Sequence, residues 1–247
     1  RFECQVILDV YAPVREIFSA PPVEGLDASA FRPVGRHEAP ERFGRNIMPP
    51  NGIPDPSPDV LNKLVHANYC YRVKVSLMEP KDLRYLARAL TTATSLCREL
   101  DGVIRDTATG LVLTYDEARR ILKSPDFTIN DHVLVHTVKD PDGQGLWLHT
   151  HGLSKFGRSD LEMRGVPEQH QAVAAHGLLT IADYTSQGNV CKPAHTLQLG
   201  SAYLTFTAAP DPAFEEFAYG LLRVQDLDPV TRMPKLGIMD WLGSVLP

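Results

Sequence analysis

The residue types most able to do chemistry are concentrated in one stretch of this 247-residue chain. His132, His136, His149 and His151 are followed closely by Ser159, Asp160 and Glu162. Neutral imidazole is a common ligand of zinc and similar divalent ions, and three histidines that leave one coordination position open make a catalytic type of site. An ion held this way would polarise a carbonyl or phosphoryl group and lower the pKa of a coordinated water to about 7. The expected ligands are His136, His149 and His151, with His132 and Asp160 as additional candidates. Glu162 is the candidate ligand or base. A carboxylate at Asp160 or Glu162 could instead accept a hydrogen bond from a ligand imidazole and fix its tautomer. The plain structural alternative is a polar sheet face whose histidines are satisfied by backbone or carboxylate partners.

A hairpin must position these side chains. Residues 131–138 and 146–153 alternate in polarity and flank a Pro141-Asp142-Gly143 turn. Side chains alternate faces along a strand, so Trp147, His149 and His151 share one face and Leu146, Leu148 and Thr150 the other. Pairing Lys139 with Leu146 places Val135 opposite Thr150 and Thr137 opposite Leu148, which collects one apolar face. A slip of one residue would move the valines among the histidines, and such slips are penalised wherever a face is buried. The favoured register sets His136 opposite His149, with His151 on the same face and His132 farther off. Facing Cβ atoms lie about 5 Å apart, close enough for three imidazoles to share an ion.

Other elements are legible around the hairpin. Residues 2–11 and 71–77 alternate as strands, and Pro80 opens a helix with Leu83, Leu86, Leu90, Ala93, Cys97 and Leu100 on one face. Residues 103–106 and 111–113 read as short strands, and Thr114-Tyr115-Asp116-Glu117 as a capping box. Pro167 starts a helix toward Gly188. Residues 196–199 and 202–206 form a second hairpin across Gly200-Ser201, with His195 expected in its apolar face. A last helix is expected from Pro212, with Phe214, Phe217, Ala218 and Leu221 on one side. Ten of the 20 prolines lie between Pro13 and Pro58, which predicts extended loop and turns there. The expected fold is α+β: a mixed or antiparallel sheet with helices packed on one face, preceded by a proline-rich N-terminal arm. Residues 1–68 are expected to form the strand and arm and residues 69–247 the core, read as one domain overall, with a two-lobed chain as the alternative.

Composition narrows the function classes. The net charge of −5 gives no reason to expect nucleic acid or an anionic membrane as partner. The four cysteines show no metal-ligand or disulfide spacing, so buried, reduced thiols are expected. No apolar run is long enough for a membrane span, and no signal-peptide pattern is visible; a cytoplasmic protein is the expectation. Phosphate-loop, dinucleotide-binding, serine-hydrolase elbow and H-E-x-x-H motifs are missing, so no nucleotide cofactor is indicated.

Two resemblances attach to these residues. The run from Trp147 through Glu162, with the block from Tyr69 through Glu117, resembles bacterial families known only as domains of unknown function; it implies a compact bacterial cytoplasmic domain over about 69–225. Locally, His149-x-His151 followed by Ser159 and Glu162 resembles the JAMM metalloprotease motif, His-x-His followed after seven residues by Ser-x-x-Asp. That likeness implies zinc on the histidine pair and a water- or oxyanion-handling role for Ser159. Glu162 stands where the motif has aspartate, Gly152 where it has proline, and no upstream glutamate base is assignable.

The expected function is a metal-dependent hydrolase using zinc or another divalent transition metal. The alternative is a non-catalytic interaction module, of immunity or adaptor type, with Trp147 and the histidines as recognition face. A third reading has the cluster bind a small acidic ligand without chemistry; a small-molecule, peptide or protein partner is compatible with these.

Overall fold

The computed structural model describes residues 2–13, 33–34, 56–141, 143, 145–209, 219–228, 230–233, 235, 238 and 241–242. These fall into two compact units, residues 1–127 and 128–247. The α+β class expected from the sequence is present, with the strands divided between two sheets rather than gathered into one. The units divide after Phe127 rather than after residue 68, because the N-terminal strand is built into the sheet of the first unit.

In the first unit β1 (Glu3–Ala12) lies between β3 (Tyr69–Met78) and β4 (Val103–Asp106), antiparallel to both. The short strands β2 (Pro33–Val34) and β5 (Val112–Leu113) complete the order β2-β3-β1-β4-β5. Alternation buries Val6, Leu8 and Val10 with their partner Val73 on one face. Helix α2 (Arg84–Glu99) packs on β1, β3 and β4 through Leu86, Ala89, Leu90, Ala93 and Cys97. Helix α1 (Pro58–Val65) sets Val60 and Leu64 against Tyr11, Cys70 and Val103, the other face. That helix is not legible from hydrophobic periodicity. It carries a local signal instead, since Ser57 caps its N-terminus by accepting from the Val60 N–H and Pro58 follows at the first helical position. Helix α3 (Tyr115–Lys123) starts at the expected capping box, with Thr114 and Glu117 satisfying each other's backbone N–H groups.

The second unit is built on a six-stranded mixed sheet in the order β6-β7-β8-β11-β10-β9. Its strands are β6 (Leu134–Lys139), β7 (Leu146–His151), β8 (Asp160–Val166), β9 (Thr196–Leu199), β10 (Ala202–Ala208) and β11 (Leu221–Asp226). Among the described residues, only β8 and β11 pair in parallel. Helix α4 (Gln171–Ser186) packs on β6, β7 and β8, and its residues Ala174, Leu178, Ile181 and Ala182 are fully buried with Leu148, Leu161 and Met163. The final helix expected from Pro212 falls on residues 210–218, outside the described ones, and Leu221 begins β11 instead. Most residues of the proline-rich arm also lie outside the described ones. His195 is exposed rather than buried, its Nδ1 3.2 Å from the Val190 carbonyl oxygen, because it precedes β9 in a turn. Cys4, Cys70 and Cys97 are buried free thiols and Cys191 is half-buried. Among the described residues, no helix is long and apolar enough to cross a membrane.

Gly177 of α4 lets the Trp241 ring lie directly on the helix backbone: a Cβ there would stand 2.3 Å from the ring. Trp241 is 2% exposed and has no room to retreat. In an open helix Gly→Ala stabilises by about 1 kcal/mol. Here the overpacking penalty, about 1–3 kcal/mol, wins. Gly177→Ala is therefore expected to lower the thermal unfolding midpoint, and a raised midpoint would refute this packing.

Candidate metal centre

The β6–β7 register is the one that burial favoured. Lys139 pairs with Leu146, Thr137 with Leu148, Val135 with Thr150 and His136 with His149. His151 pairs with Leu134, on the same face as the two histidines. The ring centroids of His136 and His151 are 4.4 Å apart, those of His149 and His151 4.9 Å, and those of His136 and His149 5.5 Å. One ring nitrogen from each lies within 4.8 Å of the other two, so the three could hold a metal ion.

Burial prepares these rings as donors. Desolvation, with the neighbouring His151 and His136 and then Arg164, holds His149 down to about 3. Desolvation and then His136 hold His151 down to about 4. Both are neutral at pH 7, the state that metal binding requires.

The remaining candidates take other positions. His132 precedes β6 and stands edge-on to Phe156, 6.3 Å between centroids, outside the group of three. Ser159 donates its hydroxyl to the Tyr219 carbonyl oxygen at 2.7 Å. Asp160 is buried where β7 leaves for β8, accepting from the Thr150 hydroxyl at 2.9 Å and the Leu153 N–H at 3.2 Å. It thereby pins the turn at Leu153–Phe156, which lies between Gly152 and Gly157. Burial raises its carboxyl to about 7, against the opposing pull of Thr150, Leu153 and Lys155.

Glu162 pairs with His149 across β7 and β8, yet it does not join the ligand group. Its side chain is fully buried and its oxygens are committed. Oε2 accepts from the Trp147 indole N–H at 2.7 Å and from Arg164 Nε at 3.2 Å, and Oε1 accepts from Arg223 Nε at 2.6 Å. A carboxylate between two guanidinium groups is an ion-pair anchor, which is why it is not held out as a ligand or base. Arg164 also donates to Asp140 at 3.3 Å and lies over the Trp147 ring, 4.7 Å from its centroid. Trp147 packs in turn on His149, 4.2 Å between centroids with the rings tilted by 33°.

The sequence reasoning missed Asp140, Arg164 and Arg223. The alternation Asp160-Leu161-Glu162-Met163-Arg164 carried a signal for Arg164, since it puts Glu162 and Arg164 on one side of a strand. A bulge follows: between the Leu148–Met163 and Leu146–Val166 pairs, Arg164 and Gly165 stand opposite the single residue Trp147. Gly165 takes φ 65° there and donates its N–H to Asp140 at 3.1 Å. Arg223 arrives through the parallel β8–β11 pairing, for which no local signal exists.

The buried groups give opposite pH effects. In the unfolded chain His149 and His151 take up protons near 6.5, but in the folded chain only near 3 and 4. Their contribution is full above pH 6.5 and lost as pH falls toward those values. Asp160 releases its proton near 3.8 unfolded and near 7 folded, so its contribution is full below 3.8 and lost as pH rises through 7. Around pH 5 the histidines make unfolding take up about two protons and Asp160 makes it release about one. Asp160→Asn should therefore steepen the rise of stability with pH by about one proton, measured by urea unfolding of chelator-treated protein between pH 4.5 and 5.5. Parallel slopes would refute the assignment. Comparison with family models, curated proteins and solved structures finds no match for this chain, so the meaning of the site rests on its own geometry.

Proposed function

We propose that the chain is a metal-dependent hydrolase whose centre is a single divalent transition ion, with zinc as the first expectation, held by His136, His149 and His151. The observation that carries this reading is the convergence of three ring nitrogens within 4.8 Å on one sheet face. The donor set fits. Imidazole suits zinc, nickel, copper and iron, and three protein ligands leave a position for water or substrate, as in catalytic rather than structural zinc sites. When bound, such an ion supplies Lewis acidity toward a carbonyl or phosphoryl oxygen and lowers the pKa of coordinated water to about 7.

The chain's own residues would bind and shield. His149 and His151 are neutral donors at physiological pH. Trp147, with Leu221 and Ala209, packs an apolar wall beside them and keeps water from that side. Ser159 and Glu162 are spoken for by Tyr219 and by the Trp147–Arg164–Arg223 set, so neither is assigned a proton transfer. The interaction-module reading has less support, because Trp147 and His149 are each only 7% exposed and a recognition face needs reachable side chains.

Protein dialysed against zinc should retain about one ion per chain by elemental analysis, and His149→Ala/His151→Ala should retain none while keeping its circular dichroism. Equal metal in both proteins would overturn the centre. The zinc form should hydrolyse p-nitrophenyl acetate or bis(p-nitrophenyl) phosphate in a chelator-sensitive way, at least 100-fold faster than the double variant. Zinc-loaded protein no faster than the variant on either substrate would overturn the hydrolase reading and leave the centre standing.

A further inference from the structure

The carboxylate that the sequence offers as a ligand is connected to the histidines by a different route. Glu162 Oε2 fixes the Trp147 indole through its N–H at 2.7 Å, and the same oxygen takes Arg164 Nε at 3.2 Å. Arg223 holds the other oxygen at 2.6 Å. The carboxylate is thus fixed from both ends, and a fixed acceptor gives the indole one in-plane direction. The indole lies against His149 at 4.2 Å between centroids, close enough to restrict rotation of that imidazole about χ2. Arg164, over the same ring at 4.7 Å, is tied to Asp140, whose other oxygen takes the Gly165 N–H of the bulge. A continuous set of contacts therefore runs from the bulge through Arg164 and Glu162 to Trp147 and His149.

We propose that Trp147 and Glu162 are positioning residues for the metal centre: Glu162 orients the indole, and the indole holds the His149 ring in its ligating orientation. In most metal sites this task falls to a hydrogen-bond acceptor on the second ring nitrogen of the ligand. Here the carboxylate acts one side chain removed, through an aromatic contact. Glu162 then sets metal affinity without touching the ion, and its charge matters less than its acceptor oxygen. The proposal rests on the three-histidine reading above, and its test is arranged so that the two can fail separately.

The test measures zinc affinity by competition with a chromophoric chelator and the visible absorption of the cobalt form, alongside the thermal midpoint of each metal-free protein. Trp147→Phe keeps a ring against His149 and removes the N–H; zinc affinity should fall about tenfold, the lower end of what outer-sphere changes cost, with the metal-free protein still folded. Should that variant not fold, Trp147→Tyr, which also keeps a ring and displaces the donor, replaces it with the same expectation. Glu162→Gln/Arg223→Met keeps an acceptor for the indole, removes both charges together and leaves Arg164 on Asp140; its zinc affinity should stay within about threefold of the wild type and its cobalt spectrum unchanged. Undiminished affinity in Trp147→Phe would overturn the positioning role. So would loss of zinc binding in the double variant, which would make Glu162 a ligand. Wild-type protein that takes up no zinc would overturn the metal reading and this proposal with it.

Discussion

Everything at the candidate centre depends on one register. A strand has a side-chain period of two, so the pairing of β6 with β7 has only two outcomes for its faces. In one, Leu148 and Thr150 turn toward helix α4 and the three histidines share the opposite face. In the other, β7 keeps its faces while His136 is driven under the helix and Val135 is turned among His149 and His151. Burying an imidazole without a partner costs several kcal/mol on apolar-transfer scales, and turning a buried valine out forfeits about 1.5–3 kcal/mol. The hydrophobic face thus selects the register, and the register brings His136, His149 and His151 together. The site is a by-product of packing on the other side of the sheet.

The histidine face continues sideways into a charged interior. Glu162 is fully buried, Arg164 is 15% and Arg223 25% exposed at the side chain, and Asp140 is 3% exposed. Such a cluster adds little net stability, since desolvation offsets the Coulomb attraction. Removing one member is different, because a buried charge left alone costs about 3–5 kcal/mol. What the cluster supplies is direction. It fixes where the Trp147 indole lies, and through that ring the orientation of His149. The bulge at Gly165 belongs to the same device, as it aims Arg164 back at Glu162 and gives Asp140 a backbone N–H to hold.

The parts of this arrangement that were legible in the sequence are those with local causes. The hairpin, its register and the shared face of His136, His149 and His151 follow from alternation and one apolar face. The helix at Tyr115–Lys123 follows from a capping box, and the Thr196–Ala208 hairpin from Gly200-Ser201. Elements closed by distant partners were not legible. The central place of β1 depends on partners that lie between 57 (Ala12 with Tyr69) and 98 (Leu8 with Asp106) residues later, which explains why the N-terminal strand does not belong to a separate arm. The use of Glu162 depends on Arg223, brought beside it by a parallel pairing between strands 61 residues apart. From the sequence alone Glu162 resembled a ligand because it follows the His149-x-His151 pair at a suggestive distance; once Arg223 is beside it, its oxygens are occupied. His195 reads as a core residue only if alternation extends one residue before β9, where the chain is still turning.

The central claim is that three imidazoles of one hairpin face share a single ion. X-ray absorption at the zinc edge of the zinc-loaded protein tests it most directly. The account predicts three imidazole nitrogens at about 2.0–2.1 Å, identified by their multiple-scattering pattern, with one further light-atom ligand and no sulfur. A sulfur shell near 2.3 Å, which would place the ion on a cysteine, or an all-oxygen shell without imidazole scattering, would contradict it.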